Sequence, residues 1–157
     1  MRLIIAYGNS LRRDDGAGLL LAQRLEQEWQ AQGVAVKRLA VQQLTPELAM
    51  EMAQADVSSV VFVDTRVVTP TETCPSVAIQ PLTGAATSPA LGHHLDPTAL
   101  LLYASLLGDK PLPAWQITVP GVDFSHGKGL SKMTQQVLVT TQLPHIASNS
   151  LKGFRNL

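Results

Sequence analysis

Cysteine is nearly absent from this chain of 157 residues. Cys74 stands alone, so no internal disulfide can form, and such usage suits a reducing compartment. An excess of charge is missing too. Twelve Lys and Arg balance twelve Asp and Glu, which removes the field expected of a nucleic-acid or acidic-membrane partner. No apolar run reaches the ~20 residues that span a bilayer. The first run is five residues, Leu3 to Tyr7, and Arg12-Arg13-Asp14-Asp15 soon follows, unlike a secretory signal. The expectation is a soluble cytoplasmic protein that meets neither membrane nor nucleic acid.

Several catalytic signatures are also lacking. Gly8 to Gly18 forms neither a P-loop nor a Gly-x-Gly-x-x-Gly fingerprint, and two aspartates there would repel a phosphate. There is no Gly-x-Ser-x-Gly elbow. Nothing places an activating base beside Cys74.

What is present is a core-rich composition, 45% apolar and only 15% charged, which describes a folded globule. A single domain over residues 1–157 would bury ~70% of the unfolded chain's surface. Leu3 to Tyr7 reads as a buried strand stopped by Gly8-Asn9. A helix from about Gly16 to Gln32 follows, with Gly18, Leu21, Ala22, Leu25 and Trp29 on one face and Gly33 as its stop. Val34 to Val41 reads as a strand, and Thr45-Pro46 as the cap and first position of a helix over Leu48 to Ala55. Ser59 to Val63 is a strand buried on both faces, hence parallel and central, closed by Asp64. Pro75 to Leu82 is a further strand whose Pro81 belongs at an edge.

A Gly/Ala/Ser/Pro stretch then ends in Gly92-His93-His94. Asp96-Pro97 opens a helix through Leu107, whose leucines read as core. Trp115 to Val119 is the last strand, and Ser131 caps the last helix. Trp29 and Trp115 read as packing residues. Strands alternating with helices define an α/β fold: a mostly parallel twisted sheet of about five strands, helices on both faces.

Parallel strands deliver their carboxyl ends to one rim, where open sheets bind ligands. On this reading Asp15 (after the first strand), Asp64 (ending the third) and His93-His94 (after the fourth) meet there. Asp14 is equally well a helix cap. Two carboxylates and an imidazole form an oxygen–nitrogen set suited to a borderline divalent metal such as nickel or zinc. A buried Asp at a strand end costs free energy unless paired, hydrogen-bonded or metal-bound.

Gly8-Asn9-Ser10-Leu11-Arg12-Arg13-Asp14-Asp15-Gly16-Ala17-Gly18 resembles the amino-terminal signature of the nickel–iron hydrogenase maturation proteases. The likeness continues through Val60 to Asp64, Gly92 to Pro97, Val119-Pro120-Gly121 and Phe124 to Ser131. These endopeptidases remove a carboxy-terminal extension from the hydrogenase large-subunit precursor once nickel has been inserted. The resemblance implies that Asp15, Asp64 and His94 contact nickel carried by the precursor, and that Asp15 and Asp64 serve catalysis. Some members have Glu where this chain has Asp15. Gly92 stands where the family often has a small hydroxyl residue, which keeps His93 open as the alternative ligand. A monomeric cytoplasmic peptidase of aspartic type is implied. Two other readings stand beside it: a metal-free hydrolase in which Asp15 and Asp64 share a proton, and a non-catalytic chaperone that senses nickel occupancy.

Overall fold

The computed structural model describes residues 1–83 and 95–143. Strand β1 (Arg2–Tyr7) leads through a 3-10 turn, Arg13–Gly16, into helix α1 (Ala17–Ala31). There follow β2 (Val36–Val41), α2 (Leu48–Met52), β3 (Ser59–Val67), β4 (Ala78–Leu82), α3 (Pro97–Leu107), β5 (Ala114–Gly121) and α4 (Lys132–Thr140). The five strands form one sheet in the order β2-β1-β3-β5-β4. All neighbours are parallel except β4, which runs antiparallel to β5 at the edge.

Alternation along each strand builds two cores. On one face Ile4, Ala6, Val61, Val63, Trp115, Ile117 and Val119 pack against Leu21, Leu25 and Trp29 of α1 and Leu138 of α4. On the other, Leu3, Ile5, Val60, Phe62 and Ala114 meet Leu48 and Met52 of α2 and Leu100 and Leu101 of α3. Both tryptophans are core residues, as their setting in apolar patterns implies. Each such side chain taken fully out of water contributes about 1.5–3 kcal/mol.

Local chemistry fixes the helix ends. Asp96 accepts the Ala99 N–H at 2.7 Å, with Pro97 at the first helical position of α3. Ser131 Oγ accepts the Thr134 N–H at 3.3 Å and starts α4. Gly33, at φ 75°, takes the left-handed turn that ends α1.

Four expectations need correction. β3 does not stop at Asp64 but continues to Val67, because Asp64, Thr65, Arg66 and Val67 all pair with β5. α2 is shorter than its pattern, ends at Met52, and has Glu47 rather than Thr45 at its cap position, with no side-chain cap bond. The leucines of α3 are only half core: Leu102, Tyr103, Leu106 and Leu107 are exposed. Finally, the antiparallel course of β4 sends its carboxyl end to the rim opposite that of β1, β3 and β5.

Candidate active site

In the strand order, β1 is followed in sequence by β2 on one side and then by β3 on the other. The crevice beyond the carboxyl ends of β1 and β3 is therefore the switch point at which open sheets bind ligands. Asp15 enters this crevice from the turn after β1, and Asp64 stands on β3 itself.

The turn is built from its own polar groups. Asn9 Oδ1 accepts the Leu11 N–H at 2.9 Å, while the Arg12 N–H reaches Asn9 O and the Asp15 N–H reaches Arg12 O, each at 3.0 Å. The Asp15 carboxylate then folds back to accept the Asn9 N–H at 2.7 Å. Gly8 makes this possible. At φ 150°, a Cβ on it would lie 2.2 Å from the Asp15 carbonyl oxygen, which no side chain survives.

Asp14, the neighbouring acid, has another task. It is fully buried. Its Oδ2 accepts the Val122 N–H at 2.9 Å, the Asp123 N–H at 3.0 Å and the Ser131 hydroxyl at 2.8 Å. Its Oδ1 accepts the Ser131 N–H at 2.7 Å. Burial pulls its pKa upward, but the Val122, Ser131 and Asp123 amides and the Ser131 hydroxyl outweigh that and hold it below the ordinary value. Asp14 does not cap α1, whose start has no side-chain cap bond. It fastens the turn to the loop after β5 and to the first turn of α4.

Asp64 lies on the face shared with α2 and α3 and is partly buried. Its Oδ1 accepts the Thr65 N–H at 2.7 Å. Burial raises its pKa to about 6, against the lowering effects of the Thr65 N–H and the Tyr7 hydroxyl, and the Asp15 charge adds to the rise. The Asp15 charge thus reaches Asp64 across the crevice, and none of the groups acting most strongly on Asp64 is a cation. Tyr7 is the residue that the pattern Leu3-Ile5-Tyr7 concealed as core. Burial and the Asp64 charge push its hydroxyl well above the ordinary phenol range, so it stays protonated and donates toward Asp64. Asp96, at the start of α3, also acts on Tyr7, which puts that helix start at the same rim.

His94 and His93 lie outside the described residues. The parallel-strand argument for them fails, since β4 is antiparallel. Among the described residues no group of three or more His, Cys, Asp or Glu could hold a metal ion. Chemically, two carboxylates in one crevice, one of them raised by burial and by its neighbour, form a site whose repulsion is relieved by a proton or by an incoming cation.

No protein-family model matches the chain, and no curated protein matches it. Solved structures do. The fold is that of the hydrogenase maturation endopeptidases. The chain superposes on the hydrogenase maturating endopeptidase HybD from E. coli with a TM-score of 0.65 at 17% identity, covering 98% of this chain and 93% of that one. The nickel–iron hydrogenase maturation protease HybD from Thermococcus kodakarensis gives 0.58 at 19% identity, with 94% and 97% covered. The hydrogenase 2 maturation peptidase from the Thaumarchaeota archaeon SCGC_AB-539-E09 gives 0.56 at 19%, with 98% and 97% covered.

Proposed function

We propose that this chain is an endopeptidase that removes the carboxy-terminal extension of a nickel–iron hydrogenase large-subunit precursor after nickel insertion. The single observation that carries the reading is the pair Asp15–Asp64 at the β1/β3 switch point, in a fold shared with solved maturation endopeptidases. In this reading the nickel is the precursor's own and is part of the substrate. Asp15, Asp64 and His94 contact it, and the protein works as a monomer in the cytoplasm.

The physical logic is differential affinity. Two facing carboxylates repel, and a divalent ion brought by the precursor relieves that repulsion, whereas an unloaded precursor brings nothing to do so. Hydrolysis then needs a water held and deprotonated beside the scissile carbonyl. Asp15 and Asp64 are the carboxylates of the crevice that can hold such a water and accept its proton.

The test is incubation with a purified precursor, with and without nickel, read by mass. Tail release from the loaded form alone is expected, and Asp15→Asn, Asp64→Asn and His94→Gln should fold yet leave the precursor uncut. Normal trimming by all three variants would sink the proposal. A second reading draws on the raised Asp64 pKa: a metal-free dyad in which Asp15 and Asp64 share a proton. Cleavage that ignores both nickel and chelators favours it.

A further inference from the structure

We propose that Arg13 is a positioning residue for Asp15: its left-handed backbone, locked by the loop after β5, sets the direction in which the Asp15 carboxylate leaves the turn. Arg13 has φ 44° and is the one non-glycine residue with positive φ among the described residues. For an L side chain that conformation costs free energy that glycine escapes.

The outlier falls at a decisive place. The Asp15 N–H donates to Arg12 O at 3.0 Å, so Arg12 to Asp15 is a closed turn with Arg13 at its first central position. Positive φ there belongs to the primed turns, whose usual occupant is glycine. A second closure passes through the same residues, since the Arg12 N–H meets Asn9 O and the Asp15 carboxylate accepts the Asn9 N–H at 2.7 Å. Asp14, the very next residue after Arg13, is held away from this closure by Val122, Asp123 and Ser131. Two adjacent acids must therefore leave one turn in different directions, and the reversal falls on Arg13.

The loop after β5 holds the strained residue in place. The Gly127 N–H donates to Leu11 O at 2.8 Å, the Arg13 N–H to Gly127 O at 3.2 Å and the Asp14 N–H to Asp123 O at 2.9 Å, and Arg12 and Gly127 form a parallel bridge. Arg12 Nε donates to Phe124 O at 3.2 Å. The Arg13 guanidinium lies against Gly127, where a Cβ would come within 3.0 Å of its Nη2, and its Nε stands 3.6 Å from Asp123 Oδ2. A strained conformation persists only where its surroundings over-determine it, and such outliers gather at functional sites. What Asp15 needs from Arg13 is the backbone angle, not the charge.

Arg13→Asn and Arg13→Val both remove the guanidinium and its pairing with Asp123, but asparagine tolerates the left-handed region and a β-branched residue does not. Hydrogen exchange of the Asn9 amide, followed by NMR, reads the result, because that N–H donates to the Asp15 carboxylate. Its protection is expected to be about tenfold lower in Arg13→Val than in Arg13→Asn, while amides inside β1 and β3 stay equally protected. The kinetic arm rests on the endopeptidase reading: with a nickel-loaded precursor, kcat should be about tenfold or more lower in Arg13→Val than in Arg13→Asn, with little change in KM, as misplacing a catalytic group does. Arg13→Ala serves if Arg13→Val fails to fold, with the same direction and a smaller difference. Equal Asn9 protection in the two variants, or equal kcat, overturns the proposal. A loss shared by the amides of β1 and β3 marks general destabilisation and overturns it as well. If the wild type leaves every precursor uncut, the endopeptidase reading falls and the exchange measurement still decides this one.

Discussion

Gly18 lies so close to β3 that a Cβ on it would be 2.9 Å from the backbone carbonyl carbon of Asp64 and 3.1 Å from its Cα. The Gly18 N–H also donates to Thr65 Oγ1 at 3.0 Å. The first turn of α1 is thereby seated directly on the strand that bears the candidate acid.

Gly18→Ala is the first prediction. In an ordinary helix interior this change gains about 1 kcal/mol. Here the methyl meets backbone that cannot swing aside, so a loss of about 1–3 kcal/mol is expected. A lowered urea midpoint with reduced precursor trimming confirms it, and a raised midpoint refutes it.

Asp14→Asn should unfasten the loop after β5. The substitution removes the charge and turns an amide toward groups that donate to Asp14. A cost of about 2–4 kcal/mol follows. The pH dependence has a definite sign. The folded pKa is depressed, so the stability is present above the unfolded value and lost as pH falls through the folded one. Denaturant melts at descending pH should show a shallower acid limb in the variant.

Asp64→Asn acts the other way. Its folded pKa is raised to about 6, so its contribution is full below the unfolded value and is lost as pH rises through about 6. At 1.36 kcal/mol per unit, discounted for partial solvent contact, this is about 2 kcal/mol. The variant is expected to be more stable than the wild type by about that much near neutral pH, with the gap closing toward pH ~4. Equal stability at neutral pH would contradict a raised Asp64 pKa.

Ser131→Ala loses both the cap of α4 and the hydroxyl bond to Asp14, at about 1–2 kcal/mol. Because the two residues share bonds, a double-mutant cycle with Asp14→Asn should show coupling of about 0.5–3 kcal/mol. Strict additivity argues against the shared network.

The elements that were legible in the sequence are those whose signals are local. Asp96-Pro97 and Ser131 mark helix starts within a few residues, Gly33 marks a stop, and apolar alternation marks β1 and β3. What stayed hidden depends on distant chain. Asp14 finds its partners on Val122, Asp123 and Ser131, more than one hundred positions away, so its spacing looks like a cap. The sense of β4 is set by how the chain returns to β5, and no residue of Ala78–Leu82 announces it. The unbroken leucines of α3 carry no phase, so the exposed Leu106 reads like the buried Leu100. Tyr7 is apolar for most of its length, and only its tip reaches the candidate site. Of that site, Asp15 and Asp64 were readable as acids at one rim; the effect of the Asp15 charge on Asp64 was not.

The two acids differ in how firmly they are mounted. Asp64 sits inside β3, flanked by ladder bonds to β5 on residues before and after it, whereas Asp15 hangs from the short turn Arg13–Gly16. Compliance in the crevice therefore belongs to the Asp15 wall alone, since shifting the other means tearing sheet. A guest too large or too small for the gap is accommodated by tilting that turn, and Asp14 obliges the segment from Val122 to Ser131 to travel with it.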